Sequence, residues 1–496
     1  MSRGYRSERR GRAPASSPLV PVPSALSTCF ELTDHSLCSV NATELFPAVK
    51  DRFPQKTQAR LAEQLVMQNR PLLEKLAVKA QCTYDGERVY LRLESGSAVG
   101  AVPLVSPLSG RFDFGMVIQP RFPWIGIGPM LGQMGWRVVP RPLRLPLLRR
   151  SERRVPPWVI ALMVLDRLES LARQLHRRFE LTRGVLPAPK GTVLWQEYAT
   201  RHAALGRLHE VPCRFPDLRD DRILKGMMRW TLETQIASLA TQVHHGAFVH
   251  QLIDRARTVL AEVQDATPIR PTASLTQAMA RLPLRSEVMR EGLEAIEWTA
   301  DERGLAGLCD LEGLPWVMDM DAFFEAWLEC VLERVVRHTG GTLRRGRLRQ
   351  TVFPVRWERP AQRTQVSLIP DFVLESPGLT LIADAKYKRH LEELASGGWS
   401  EVAEDVRESH RQDLLQALAY SGLFASPRLT ALLAYPCERK TWASLRRRGH
   451  PIQKAAVGAG GRCVDLWLAA VPMAARVEEA AEPLIEALRE LRLQAA

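Results

Sequence analysis

Residues 366–388, VSLIPDFVLESPGLTLIADAKYK, hold two short runs of interleaved apolar and polar positions, split by Ser376-Pro377-Gly378. The mixture of Val, Ile, Leu and Phe with polar groups predicts strands over Val366–Leu374 and Leu379–Tyr387. Pro followed by Gly suits the central positions of a type II turn between them. With Pro377 and Gly378 as the loop, Ser376 pairs with Leu379, and the same register sets Asp371 opposite Asp384. Opposed residues share a face, with Cβ atoms roughly 4.5–5.5 Å apart. Lys386, two residues past Asp384, joins that face. Phe372, Leu374, Ala383 and Ala385 then point into a core.

Helical periodicity brackets this hairpin. Residues 318–336, MDMDAFFEAWLECVLERVV, read as an amphipathic helix with Phe323, Phe324, Trp327 and Val331 inward and Glu325 toward the hairpin. A second helix over 401–422 sets Gln416 and Tyr420 at i and i+4, on one face. The apolar run 429–436, closed by Pro436, predicts a buried strand, and 457–461 a turn. The terminal VEEAAEPLIEALRELRLQAA predicts an amphipathic helix packing through Leu484, Leu488 and Leu491. Upstream, Trp158–Phe179 and Asp221–Val263 have helical periodicity, and 267–274 is a linker or turn. Together these predict a mixed α/β (α+β) chain. Its parts are a disordered basic tail (1–27), a strand-rich domain (28–150), a mainly helical middle region (151–300) and a hairpin-bearing domain with a closing helix (301–496).

Composition sharpens this modestly. The chain has 496 residues, 46% hydrophobic and 25% charged, an ordinary globular balance. Its formal net charge of +13 favours a polyanionic partner. Arg344, Arg345, Arg347 and Arg349 before the hairpin, and Arg446–Arg448 after it, are candidate phosphate contacts. The eight cysteines are scattered without a C-x-x-C pair, which argues against a zinc ribbon and for a reducing, cytoplasmic setting. No apolar run is long enough to predict a membrane span. There is no G-x-x-x-x-G-K-(S/T) loop, so nucleotide hydrolysis is not expected of this chain.

The hairpin face is the candidate chemistry. Opposed carboxylates repel and raise one pKa. Mg²⁺ relieves that conflict, since it takes one or two protein carboxylates together with water and phosphate oxygens. Asp371 and Asp384 are therefore candidate metal ligands, with Lys386 placed to orient a water or stabilise developing charge. Gln416 and Tyr420 are placed to hold the lysine, the water or a nucleic-acid backbone, and Lys388 is a further candidate contact.

Ile369-Pro370-Asp371, Asp384-Ala385-Lys386-Tyr387-Lys388, Leu415 to Tyr420 and Leu433-Ala434-Tyr435-Pro436 together resemble the PD-(D/E)XK nuclease superfamily, and within it the McrC family. Ile118-Gln119-Pro120-Arg121 and residues 194–233 are similar to that family's earlier regions, while 1–27 and 265–303 match nothing recognised. The resemblance implies a restriction-endonuclease-like domain. It implies Asp371 and Asp384 on the metal, Lys386 in catalysis, and Glu325 and Gln416 as accessory positions. It also implies DNA as substrate, Mg²⁺ as cofactor and a separate AAA+ GTPase as motor in a restriction or anti-phage system. A non-catalytic DNA-binding or assembly subunit and a defence RNA nuclease are the other readings.

Overall fold

The computed structural model describes residues 28–46, 54–86, 88–145, 156–175, 178–219, 221–280, 286–301, 313–358, 364–389, 404–459 and 462–493. The expected tail over 1–27 lies outside them. The chain forms two compact units. Residues 1–156 and 304–496 make one, and the inserted Pro157–Arg303 makes the other. The strand-rich and hairpin-bearing segments, separate in the sequence reading, thus share a unit.

In the first unit, β1 (Thr28–Thr33), β2 (Ala98–Leu104), β3 (Phe114–Gln119) and β4 (Trp316–Asp319) form a sheet ordered β1-β3-β2-β4, with Arg141–Pro142 at its edge. All seven residues of β2 are buried, consistent with a strand covered on both faces. A separate three-stranded meander combines Leu37–Asn41, Val78–Asp85 and Arg88–Ser95, next to a helix over Gln55–Lys75.

β4 passes directly into α1 (Met320–Thr339), where Asp319 caps the helix by accepting from Asp321 N and Ala322 N at 2.9 and 3.1 Å. Phe323, Phe324, Trp327 and Val331 are buried, as the periodicity predicts. There follow β5 (Thr342–Arg345), β6 (Phe372–Ser376), β7 (Leu379–Ala385), α2 (Glu404–Ser421), β8 (Arg428–Cys437), β9 (Ile452–Ala459), β10 (Arg462–Pro472) and α3 (Val477–Leu493). The six strands form one sheet ordered β5-β6-β7-β8-β10-β9. β7, β8 and β10 run parallel, and the outer pairings are antiparallel. β8, the expected buried strand, is buried at nine of its ten residues. α2 and a helix over Arg439–Arg447 pack on Ala431, Leu433, Tyr435 and Leu466. α1 and α3 pack together, and α1 ties to β5 through Glu329 and Arg345.

The hairpin takes the register set by its turn. Gly378 has φ 75°, as the third position of a type II turn requires, and Ser376 pairs with Leu379 through to Phe372 with Ala383. The first strand is shorter than expected. Ser367–Leu368 is a separate bridge to Phe353–Pro354, and the chain leaves the sheet at Pro370, which has no N–H for a ladder. β9 and β10 form a hairpin across the expected turn at 457–461, of which 460–461 lie outside the described residues.

The second unit contains helices Pro157–Ala172, Arg222–Ala240, Ala247–Val263, Ala273–Ala280 and Glu287–Ala300, with strands Arg178–Leu186, Thr192–Val193 and Val211–Arg219 in one small sheet. The expected helix to Phe179 ends at Ala172 and gives way to a strand. The expected span 221–263 is two helices, broken at Gly246 with φ 127°. Trp158 packs edge-on against Phe248, and Arg255 meets Glu169 through two bonds of 2.7 and 2.8 Å.

Candidate active site

Asp371 sits just past the last β6–β7 pair, held by the loop that follows β5. Gly346 N donates to Asp371 O at 2.7 Å, and Thr351 Oγ1 to Pro370 O at 2.6 Å. A Cβ at Gly346 would fall 2.7 Å from Pro370 O, so only glycine permits this approach. The Asp371 side chain turns to β7, where its Oδ2 accepts from Ala385 N at 2.9 Å. Asp384 is buried beside it, 3% exposed. Its Oδ2 lies 2.5 Å from Lys386 Nζ in a buried ion pair.

Charge in this corner is unbalanced. Burial, and after it the Asp384 charge, push Asp371 well above the usual carboxylate range. Glu325, half-buried on α1, is also raised, by burial, by Glu329 and in part by Asp384. Burial pulls Lys386 down, but Asp384, and behind it Asp413 and Asp371, more than offset this and favour its charged form. Lys386 Nζ donates to Gln416 Oε1 at 2.8 Å, and Gln416 Nε2 donates to Tyr420 Oη at 2.9 Å. Asp371, Asp384, Lys386, Gln416 and Tyr420 thus form one connected group, with Glu325 within electrostatic reach.

The basic candidates are placed differently. Lys388 Nζ donates to Asp413 Oδ1 at 2.6 Å and Ser409 Oγ at 3.0 Å. Arg345 binds Glu329 and Glu333 at 2.6 and 2.8 Å, and Arg347 binds Glu329 at 2.6 Å. Arg344 bonds to Gln350 O at 3.0 Å and Glu375 at 3.2 Å. All three arginines, expected at nucleic acid, are engaged within the protein. Glu329 and Asp413 escaped the sequence reading. Asp413 precedes Gln416 by three residues on one helix face, a spacing that was available to find it. Among the described residues no group of three or more acidic, His or Cys side chains converges to hold a metal ion.

This geometry belongs to a chain whose family is defined. The profile described as the McrBC 5-methylcytosine restriction system component matches residues 138–436, more than half of the chain and all of the connected group. The chain belongs to that family. A solved assembly of Thermococcus gammatolerans McrB AAA+ hexamers with bound McrC is similar at 14% identity and TM-score 0.38, covering 94% of this chain and 100% of that one. The Thermococcus gammatolerans McrBC complex is similar at 14% identity and TM-score 0.26, covering 62% and 88%. No curated protein matches the chain. No helix among the described residues is long and apolar enough to cross a membrane.

Proposed function

We propose that this chain is the DNA-cutting subunit of an McrBC-type restriction system, hydrolysing phosphodiester bonds with Mg²⁺ beside a separate AAA+ GTPase of the McrB kind. In this reading the six-stranded sheet and its helices are a PD-(D/E)XK nuclease core. The observation that carries it is the meeting of Asp371, Asp384, Lys386 and Gln416 at one end of that sheet. Membership of the McrBC component family supports the system, and the lack of a phosphate-binding loop in this chain assigns nucleotide hydrolysis to a partner.

The donor set fits a hard divalent cation. Two carboxylates lie together in a buried corner, and Asp371 is raised by burial and, after it, by the neighbouring Asp384 charge. Asp371 and Asp384 would hold the ion, which supplies positive charge at the scissile phosphate and makes a water more acidic. Lys386, kept charged by Asp384, orients the attacking water or stabilises charge on the phosphorane-like transition state. Gln416 fixes the direction of the ammonium, and Tyr420 fixes Gln416.

The test is cleavage by purified chain with an McrB-type motor, GTP and Mg²⁺, on plasmid bearing 5-methylcytosine and on RNA. Plasmid cutting is expected to stop with EDTA and to fall by at least about 10²-fold in Asp384→Ala and Lys386→Ala. Unchanged cutting in both variants would sink the assignment, and cleavage of RNA alone would move the substrate class.

A further inference from the structure

Past Asp384 the chain continues through Lys386, Tyr387 and Lys388, and their side chains part to opposite sides. Lys386 and Lys388 meet α2 through Gln416 and Asp413. Tyr387, 2% exposed, points toward the N-terminal sheet. There its hydroxyl donates to Asp34 Oδ2 at 2.6 Å, and Arg121 N donates to Asp34 Oδ1 at 2.5 Å. The Arg121 guanidinium lies 3.6 Å from Asp34 Oδ2, with its Cζ 4.6 Å from the Tyr387 ring centroid and 4.9 Å from that of Phe122. Its Nη2 donates to Lys388 O at 3.2 Å. Asp34 and Arg121 follow the paired ends of β1 and β3, joined by Asp34 N to Gln119 O at 3.0 Å.

This is a costly arrangement for stability alone. Asp34 is fully buried and the Arg121 side chain is 10% exposed, yet Arg121 Nε and Nη1 have no hydrogen-bond partner. Buried ion pairs repay their desolvation only when the geometry is excellent and the remaining donors are satisfied. What the pair does accomplish is to hold the Tyr387 side chain and the Lys388 carbonyl, next to Lys386 in the chain.

We propose that Arg121, acting with Asp34 through Tyr387 and the Lys388 carbonyl, is a positioning residue that sets where the Lys386 ammonium stands relative to Asp384 and Gln416. The inference rests on the nuclease reading above. The Lys386 contacts of 2.5 and 2.8 Å leave no slack, so a shift of about 1 Å in residues 386–388 breaks one or both. The phrase Ile118-Gln119-Pro120-Arg121 acquires a role: it delivers a guanidinium to the back of the lysine-bearing segment.

The experiment is single-turnover cleavage by the full chain with its motor, comparing Arg121→Lys, Tyr387→Phe, Lys386→Ala and Arg121→Lys/Lys386→Ala. Lysine keeps the charge but cannot stack on two rings while reaching both Asp34 and the Lys388 carbonyl. Arg121→Lys is expected to slow cleavage on the order of 10²-fold with DNA affinity and melting temperature close to wild type. On the Lys386→Ala background the same change should have almost no further effect, because its target is gone. An equal loss on that background, a wild-type rate in Arg121→Lys, or a loss residing in DNA affinity would each overturn the proposal. If Arg121→Lys does not fold, Tyr387→Phe decides by the same cycle, with a smaller loss expected. Asp384→Ala run alongside separates the two levels. Its full activity would remove the nuclease reading itself, whereas an inactive Asp384→Ala beside a wild-type Arg121→Lys removes only the positioning role.

Discussion

Glu325 and Glu329 sit one turn apart on α1, and their carboxyl groups are pushed in opposite directions. Glu329 is fully buried, and burial alone would raise it, yet bonds to Arg347 and Arg345 and the charges of Arg137 and Arg347 bring it below the usual carboxylate range. Glu325 is more exposed and is nonetheless raised, by burial, by Glu329 and by Asp384. The difference lies in what surrounds them. On the Glu329 side three arginines and Glu333 close a charge network with contacts of 2.6 to 3.2 Å. On the Glu325 side Asp371 and Asp384 face Lys386, and negative charge is left over. A buried carboxylate met by several arginines holds the fold. Buried charge short of a counter-ion is what the proposed Mg²⁺ would offset.

Removing the matched carboxylate should have the largest effect on stability. Glu329→Gln leaves Arg137, Arg345 and Arg347 around a neutral amide, and is expected to cost about 3 kcal/mol in denaturant unfolding, the lower end of the range because Arg347 can partly rehydrate. The sign with pH follows from the lowered pKa. The Glu329 contribution is fully present above the carboxylate range of the unfolded chain and is lost as pH falls through the folded value. Acidification should therefore narrow the gap between wild type and variant. A gap that stays constant down to pH 3 would mean that the network is not what Glu329 contributes.

The opposite is expected on the unmatched side. Asp371→Asn, measured without divalent cation at neutral pH, should raise the melting temperature by roughly 1 °C, what about 1 kcal/mol is worth in a chain of 496 residues. It removes one of two repelling carboxylates while an amide oxygen can still accept from Ala385 N. Adding Mg²⁺ should stabilise wild type and leave the variant nearly unmoved. Destabilisation by Asp371→Asn in the cation-free protein would break the contrast.

Much of the site was legible in the sequence because period-2 alternation and a Pro-Gly turn fix which residues share a strand face. Pro377-Gly378 set the register, and with it the neighbourhood of Asp371 and Asp384. The i, i+4 spacing put Gln416 and Tyr420 on one helix face, and of the partners expected there Gln416 meets the lysine, while its bond to Tyr420 was not foreseen. What stayed hidden depends on pairing between distant segments. Nothing local in Arg345 or Arg347 says that a carboxylate 16 or 18 residues earlier will claim them, so a basic cluster reads as a phosphate contact. Asp34 and Tyr387, 353 residues apart, share no local signal at all. The β9–β10 hairpin was missed for another reason: IQKAAVGA is poor in β-branched and aromatic residues, and pairing with β10 overrides that weak propensity.

Arg344 supplies the finest test, because it neighbours the network without belonging to it. Its guanidinium meets Glu375 at 3.2 Å and the Gln350 carbonyl at 3.0 Å, and the side chains of the pair are 37% and 42% exposed. An exposed ion pair of this kind contributes at most about 1 kcal/mol, screened further by salt. Arg344→Ala should therefore shift unfolding by no more than that, against the far larger shift in Glu329→Gln. If its loss instead approached that of Glu329→Gln, the arginines of 344–347 would act as one unit. The line between matched and unmatched charge would then have to be drawn around the whole loop that carries Gly346 and holds Asp371.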